Sequence, residues 1–254
     1  MSASLHQAEI TRAIGLLGEA HNAVALTGAG MSTESGIPDF RSPGGVWTKY
    51  DPDEFSYQKF TTRPESRAKY WKWGLEFFPT VRGATPHAGY DALVALAKQG
   101  RLRCVITQNV DGLHRRAGSP EVIEIHGTAL EVGCLACGQR WPREAIHARL
   151  EAEAFDPRCA CGGILKPCTI SFGQPMPKEE TTRAYAEARR ADVFLALGSS
   201  LVVFPAADLV PEAVEHGAKL IVINLEPTPF DGLATVAIHA KVGEALPAIL
   251  EGLS

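Results

Sequence analysis

Four short apolar runs, each ending in a small or polar turn, constrain the fold of this chain more than any other feature. Ala23–Leu26 leads into Thr27-Gly28-Ala29-Gly30, and Cys104–Ile106 into Thr107-Gln108-Asn109. Val193–Leu197 leads into Gly198-Ser199-Ser200, and Leu220–Ile223 into Asn224-Leu225-Glu226. Continuous runs rich in Val, Ile and Leu suit strands buried on both faces. Helical patterns separate them at Glu9–Ala20, Tyr90–Lys98, Lys178–Arg190, Pro205–His216 and Glu244–Glu251. Thr85-Pro86 reads as an N-cap followed by the first helical residue, and Gly100 as a stop. This alternation predicts an α/β fold with a doubly wound parallel sheet. Such sheets bind ligands beyond the carboxyl ends of their strands, so the four turns are expected to gather at one site.

Two stretches break the alternation. Residues 45–84 hold Trp47, Trp71 and Trp73 with no β signal, and predict a helical insertion over the sheet. Residues 131–164 hold Cys134, Cys137, Cys159 and Cys161, with Cys104 and Cys168 outside. The expected organisation is one sheet domain from residues 1–44, 85–130 and 165–254, with a small domain built from the two insertions. Clustered cysteines in a chain without an export signal read as metal ligands. Cys134-x2-Cys137, 21 residues, then Cys159-x-Cys161 is a near match to a four-cysteine zinc ribbon. Gly138 and Gly162-Gly163 supply the turns. Four thiolates close the coordination sphere, so the Zn2+ would be structural. The one-residue spacing of the second pair leaves Cys168 or His147 open as a substitute ligand.

Composition excludes several function classes. With 254 residues and 45% apolar content, the chain can bury a core and is not disordered. Lys+Arg 25 against Asp+Glu 29 gives a net charge of −4, which argues against nucleic acid as a partner. The opening Met1–Glu9 lacks a signal pattern, and no apolar run approaches the ~18 residues of a spanning helix. A cytoplasmic, monomeric protein away from membranes is expected.

Gly28-Ala29-Gly30 after a buried strand has the context of a phosphate cradle. It lacks the third glycine of the usual dinucleotide fingerprint: position 33 is Thr, and the next glycine is Gly36. The surrounding sequence is more specific. Residues 28–42 read GAGMSTESGIPDFRS, 107–114 TQNVDGLH, 125–127 Ile-His-Gly, 198–201 GSSL and 223–228 INLEPT. From about residue 20 to 245 the chain closely resembles the sirtuins, NAD-dependent protein deacylases with a Rossmann-like domain and a smaller zinc-ribbon and helical domain.

The resemblance implies NAD as co-substrate, structural Zn2+ and acyl-lysine proteins or peptides as substrates. It puts Gly28, Ala29 and Gly30 on the pyrophosphate and Asp39, Phe40 and Arg41 in a mobile loop over the nicotinamide ribose. Gln108 and Asn109 line the ribose site, and Asp111 holds the carboxamide. Gly198, Ser199 and Ser200 meet the phosphates, and Asn224, Leu225 and Glu226 lie near the adenosine; Thr33 and Val242 complete the nucleotide site. Ile170, Phe172, Gly173 and Val202 would meet the substrate peptide, added as a strand. Gln174 stands where family members commonly carry an acidic residue.

His126 is implied as the catalytic base, with Asn109 orienting ribose hydroxyls or water. Locally, a histidine beside an apolar strand reads as core; the resemblance assigns it the chemistry. Nicotinamide leaves as the acyl-lysine oxygen attacks the ribose, through a cationic transition state that needs a dry pocket. A ribose hydroxyl must then lose a proton, and histidine suits that task near neutrality. His87 and His114 read as structural. The products would be free lysine, nicotinamide and O-acyl-ADP-ribose. An ADP-ribosyltransferase or NAD glycohydrolase on the same fold, and a non-catalytic zinc-ribbon binding module, are the competing readings. Sirtuins that remove acidic acyl groups carry Tyr-x-x-Arg where Trp71 and Gly74 align here, and no arginine occurs between Arg67 and Arg82. Acetyl, or a longer neutral chain, is therefore expected.

Overall fold

The computed structural model describes residues 6–253. Residues 1–5 and 254, including the first half of the opening stretch read for a leader, lie outside the described residues. The strands are β1 (Ala23–Thr27), β2 (Leu102–Thr107), β3 (Val122–Glu124), β4 (Gly127–Cys134), β5 (Arg140–Pro142), β6 (Leu165–Thr169), β7 (Val193–Leu197), β8 (Lys219–Ile223) and β9 (Val236–Ile238). The helices are α1 (Gln7–Glu19), α2 (Tyr57–Thr62), α3 (Pro64–Gly83), α4 (Ala88–Lys98), α5 (Leu113–Ala117), α6 (Arg143–His147), α7 (Lys178–Arg190), α8 (Leu209–Glu215) and α9 (Val242–Glu251).

Six strands form one parallel sheet in the order β3-β2-β1-β7-β8-β9. The chain winds outward from β1 through β2 to β3, then returns to the centre and winds outward from β7 to β9. The switch in direction falls between β1 and β7, where Val24 pairs with Phe194 and Thr27 with Leu197. Both central strands are buried at every residue, as their unbroken apolar runs require.

Helices cover both faces. On one face α1 presents Ile10, Ala13 and Leu17, a three-then-four spacing that makes one apolar stripe, to a core shared with α4 and α9. On the other, α7 buries only Ala184 and Ala188, so this charged helix lies close to the sheet beside α8. Its first turn carries Glu179 and Glu180 and its last Arg189 and Arg190, matching the helix dipole.

Three local expectations are corrected. The cap of α4 is His87, not Thr85: its Nδ1 accepts from the Gly89 N–H at 3.0 Å while its backbone stays extended, so the helix starts after Pro86. The Pro205–His216 pattern resolves into a 3-10 turn (Ala206–Asp208) running into the shorter α8. The three-residue β9 was not foreseen.

The second sheet is antiparallel, in the order β5-β4-β6. Its core joins Val132 and Leu165 to Ile146, Leu150 and the fully buried Trp71 of α3, so both insertions contribute to one apolar cluster.

The two central strands end in glycine turns that touch. Gly30 N–H donates to the Gly198 carbonyl at 2.8 Å, and Gly28 N–H to Leu197 at 3.0 Å. A Cβ on Gly28 would lie 2.7 Å from the Ser199 Cβ, and one on Gly30 2.9 Å from the Gly198 oxygen. Gly198 itself has φ +57°. Its own Cβ would collide with Met31 N and Gly30. Gly198→Ala is therefore expected to cost about 2–4 kcal/mol, as backbone here has nowhere to retreat. Urea denaturation checks this; an unchanged midpoint would contradict the packing described.

Candidate active site

Beyond the switch point lies a cavity of about 720 Å³. The glycine turn after β1 (Gly28, Ala29, Gly30, with Thr33) and the turn after β7 (Gly198, Ser199, Ser200) form its floor. Asn224, Leu225 and Glu226 after β8 and Val242 at the start of α9 line one end. The Glu34 carboxylate accepts from Gly243 N–H at 2.8 Å, tying α9 to the glycine turn. Gln108, Asn109, Asp111 and His126 line the middle, and Ile170, Phe172 and Gly173 an edge. Asp39, Phe40 and Arg41 cover it. Val202 does not line it; its neighbours Val203 and Phe204 do.

A buried polar network fixes the middle residues. Ser32 Oγ donates its only proton to Asp111 Oδ2 at 2.7 Å, so it accepts from Asn109 Nδ2 at 2.9 Å and from the Tyr90 hydroxyl at 3.0 Å. The second Asn109 amide proton goes to the Gly28 carbonyl at 2.9 Å. Asp111 Oδ1 accepts from Leu113 N–H at 2.8 Å. Burial raises the Asp111 pKa, opposed by these hydrogen bonds. The Gln108 amide donates to Ser199 Oγ at 3.0 Å, bridging the two halves of the sheet.

His126 sits where the chain leaves the parallel sheet for β4. Its Nδ1 lies 3.1 Å from the Gln108 carbonyl, an acceptor, so Nδ1 carries the proton and Nε2 keeps a free lone pair. Burial lowers its pKa, with the Gln108 carbonyl pulling the other way. The neutral base form therefore prevails at neutral pH. The His126 carbonyl accepts from Ile170 N–H at 2.9 Å, which links the histidine to the segment that follows β6. His114 is differently placed: it is 2% exposed, its Nε2 lies 2.9 Å from Thr27 Oγ1, and burial together with His87 pushes its pKa down to about 3. His87 is occupied by Met31 O and Gly89 N.

The covering segment is held by its own turn and by aromatic contact. Asp39 Oδ1 accepts from the N–H groups of Arg41 and Ser42 at 2.9 and 2.8 Å. The ring of Phe40 lies 5.2 Å from that of Trp47, which lies 6.1 Å from Phe172. Ser32 and Tyr90 are the functional neighbours that sequence reasoning missed. Ser32 was visible as a polar residue just past the glycine turn, but nothing marked Tyr90.

The sulfurs of Cys134, Cys137, Cys159 and Cys161 lie within 4.8 Å of one another, with no disulfide. Cys134 and Cys161 are 3.6 Å apart and Cys137 and Cys159 3.7 Å. A tetrahedron with Zn–S bonds of ~2.3 Å has edges of about 3.8 Å, so the set fits zinc. Gly163 makes the short second spacing workable, since a Cβ there would lie 2.5 Å from Cys134 Sγ. N–H groups of Cys137 and Ala136 point at Cys134 Sγ and, with the Cys137 N–H first, bring its pKa down to about 6, favouring the thiolate. His147 accepts instead from Arg143 Nε at 3.0 Å, and Cys168 is outside the cluster.

A doubly wound nucleotide-type fold with a four-cysteine module and a histidine at their junction defines the class. The Sir2 family model matches residues 28–205. A relative from Thermodesulfovibrio yellowstonii, described as an NAD-dependent protein deacetylase, is 40% identical over 252 residues, covering 99% of this chain and 97% of that one. A Sir2 structure with a deacetylated p53 peptide and 3'-O-acetyl ADP ribose is 38% identical, with TM-score 0.90 over 96% of this chain and 99% of its own. One with p53 peptide and NAD+ is 38% identical, with TM-score 0.87 over 95% and 97%. The chain belongs to the Sir2 family.

One zinc per chain is expected by elemental analysis. Stripping it with a strong chelator should release the metal and lower the thermal midpoint. A metal-free protein of unchanged midpoint would contradict the assignment.

Proposed function

We propose that this chain is an NAD-dependent protein lysine deacetylase that transfers the acyl group to ADP-ribose and releases nicotinamide. The observation that carries the reading is His126: its free Nε2 lone pair faces the cavity that the glycine turns floor and the Ile170–Gly173 edge borders. NAD, when bound, supplies the ribose electrophile and nicotinamide as leaving group. The turns Gly28-Ala29-Gly30 and Gly198-Ser199-Ser200 take its phosphates through close backbone approach. Asn224, Leu225, Glu226, Thr33 and Val242 shape the nucleotide ends, Gln108 and Asn109 the ribose. Asp111, its carboxylate oxygens fixed in place by Ser32 and Leu113, accepts from the carboxamide. Phe40, backed by Trp47, excludes water from the ribose face, with Asp39 setting the turn and Arg41 at the rim. His126 Nε2 takes the ribose hydroxyl proton.

The substrate peptide lies along Ile170, Phe172 and Gly173, with Val202 beside it on the surface. Phe172 is 46% and Val202 45% exposed, apolar surface that a bound chain would cover. The zinc module is structural, with the small domain at residues 45–84 and 131–164 holding the covering segment over the sheet domain. No helix among the described residues is long and apolar enough to cross a membrane. With a net charge of −4, the reading is of a cytoplasmic monomer that does not hold nucleic acid.

Incubation with NAD and an acetyl-lysine peptide, followed by mass spectrometry, tests this. Nicotinamide release should match loss of the acetyl group one for one; NAD cleavage independent of peptide would favour a glycohydrolase. His126→Ala should lower kcat by about 10²–10⁴-fold while NAD binding, measured by calorimetry, survives. Full activity in that variant would sink the assignment of the base.

The pH profile gives a separate check. Because burial lowers the His126 pKa, the base form prevails at neutrality. Activity should be flat there and fall only below the ordinary histidine value of about 6.5. A fall beginning above neutrality would contradict a buried, neutral base.

A further inference from the structure

Arg143, at the start of α6, is 4% exposed and lines the same cavity as His126. Among the described residues it has no carboxylate within ion-pair distance: Glu144 pairs with Arg82, and Asp156 with Arg67 and Arg158. Its Nε donates to His147 Nε2 at 3.0 Å, and among the described residues its other N–H groups have no hydrogen-bond acceptor. His147 stays neutral, its pKa held at about 4 by burial and the Arg143 charge, so it supplies no counter-charge. The guanidinium carbon lies 5.1 Å from the centroids of Trp71 and Phe78. Nη2 reaches over Gly74, where any Cβ would collide with it. A buried cation without an anion is costly, and a ligand carboxylate would offset that cost.

The wall of the cavity connects this cation to the reacting end. Ile170 N–H bonds to the His126 carbonyl, and the adjacent Thr169 Oγ1 lies 3.0 Å from the Tyr70 hydroxyl. Tyr70 and Gly74 are one helical turn apart on α3 and both line the cavity with Arg143. Tyr70 and the guanidinium thus border the same cavity as His126, on the side where Thr169 adjoins Ile170.

We propose that Arg143 makes this a deacylase for lysine carrying short dicarboxylic acyl groups, such as malonyl, succinyl or glutaryl, as well as for acetyl-lysine. The free carboxylate docks on the guanidinium fork, whose planar donors suit it. This rests on the deacetylase reading above. The bond changes are those of that reaction: the lysine C–N amide bond and the nicotinamide–ribose bond break, one water is consumed, and the acyl carbon ends as an ester on ADP-ribose. The lysine amine takes the net proton, and the distal carboxylate is unchanged. The expectation of a neutral acyl group followed from the lack of an arginine within α3; here the cation comes from the other insertion.

The test compares kcat/KM for one peptide bearing acetyl-, malonyl-, succinyl- or glutaryl-lysine, and the uncharged terminal amides of the three acids. With the unmodified enzyme, at least one acid should be removed about 10- to 100-fold better than its own amide, the range for losing a charge-assisted hydrogen bond. In Arg143→Met, the ratio of that acid to acetyl should fall about 10- to 100-fold; Arg143→Lys should fall between. A merely structural Arg143 would shift the thermal midpoint without moving the ratio. Parity between each acid and its amide, or a ratio unmoved in a folded variant, overturns the proposal. Turnover of acetyl-lysine alone sinks only this inference, whereas no turnover of any peptide sinks the deacetylase reading with it. The acid–amide comparison needs no variant, so it holds even if Arg143→Met does not fold.

Discussion

The contact on which the rest of the structure depends is the one between the two glycine turns at the centre of the sheet. Gly30 bonds to the Gly198 carbonyl, and Gly198 N–H in turn bonds to the Ile223 carbonyl of β8. These bonds lock the carboxyl ends of β1, β7 and β8 side by side at the point where the winding reverses. The crevice outside such a reversal is where open α/β sheets bind ligands. Side chains on either glycine would push the turns apart and widen the floor that the remaining residues surround.

From that floor, order spreads through buried hydrogen bonds rather than through charge pairs. Ser32 has one proton and spends it on Asp111, which fixes the direction of the bonds from Asn109 and Tyr90. Neutral His114 backs the network through Thr27, and Thr107 takes the Asn109 N–H. Low-dielectric burial makes each of these bonds costly to lose, so the side chains facing the cavity are held ready. His126 gains the same preparation from one carbonyl, which selects its tautomer.

How much of this was legible follows from range along the chain. The four apolar runs predicted the four longest strands of the parallel sheet, because burial on both faces leaves a continuous signal. The three-residue β9 was missed because its short pattern is completed by pairing with β8, not by its own sequence. The α4 cap eluded local rules because a histidine ring nitrogen replaced the usual hydroxyl. Cys159-x-Cys161 looked irregular by spacing, yet Gly163 lets the sulfurs converge. Arg143 was invisible for the plainest reason: Gly74 and Arg143 lie in different insertions, and only folding places the guanidinium where the glycine leaves room.

The central claim is that one cavity brings a nucleotide floor, a neutral histidine and a peptide edge to a single point. A crystal structure with acetyl-lysine peptide and a non-hydrolysable NAD analogue measures that directly. The expected result is phosphates on the Gly28–Gly30 and Ser199 turns, the peptide paired beside Ile170–Gly173, and a ribose hydroxyl within hydrogen-bond distance of His126 Nε2. A nucleotide bound away from the glycine turns, or a His126 Nε2 remote from the ribose, would contradict the account.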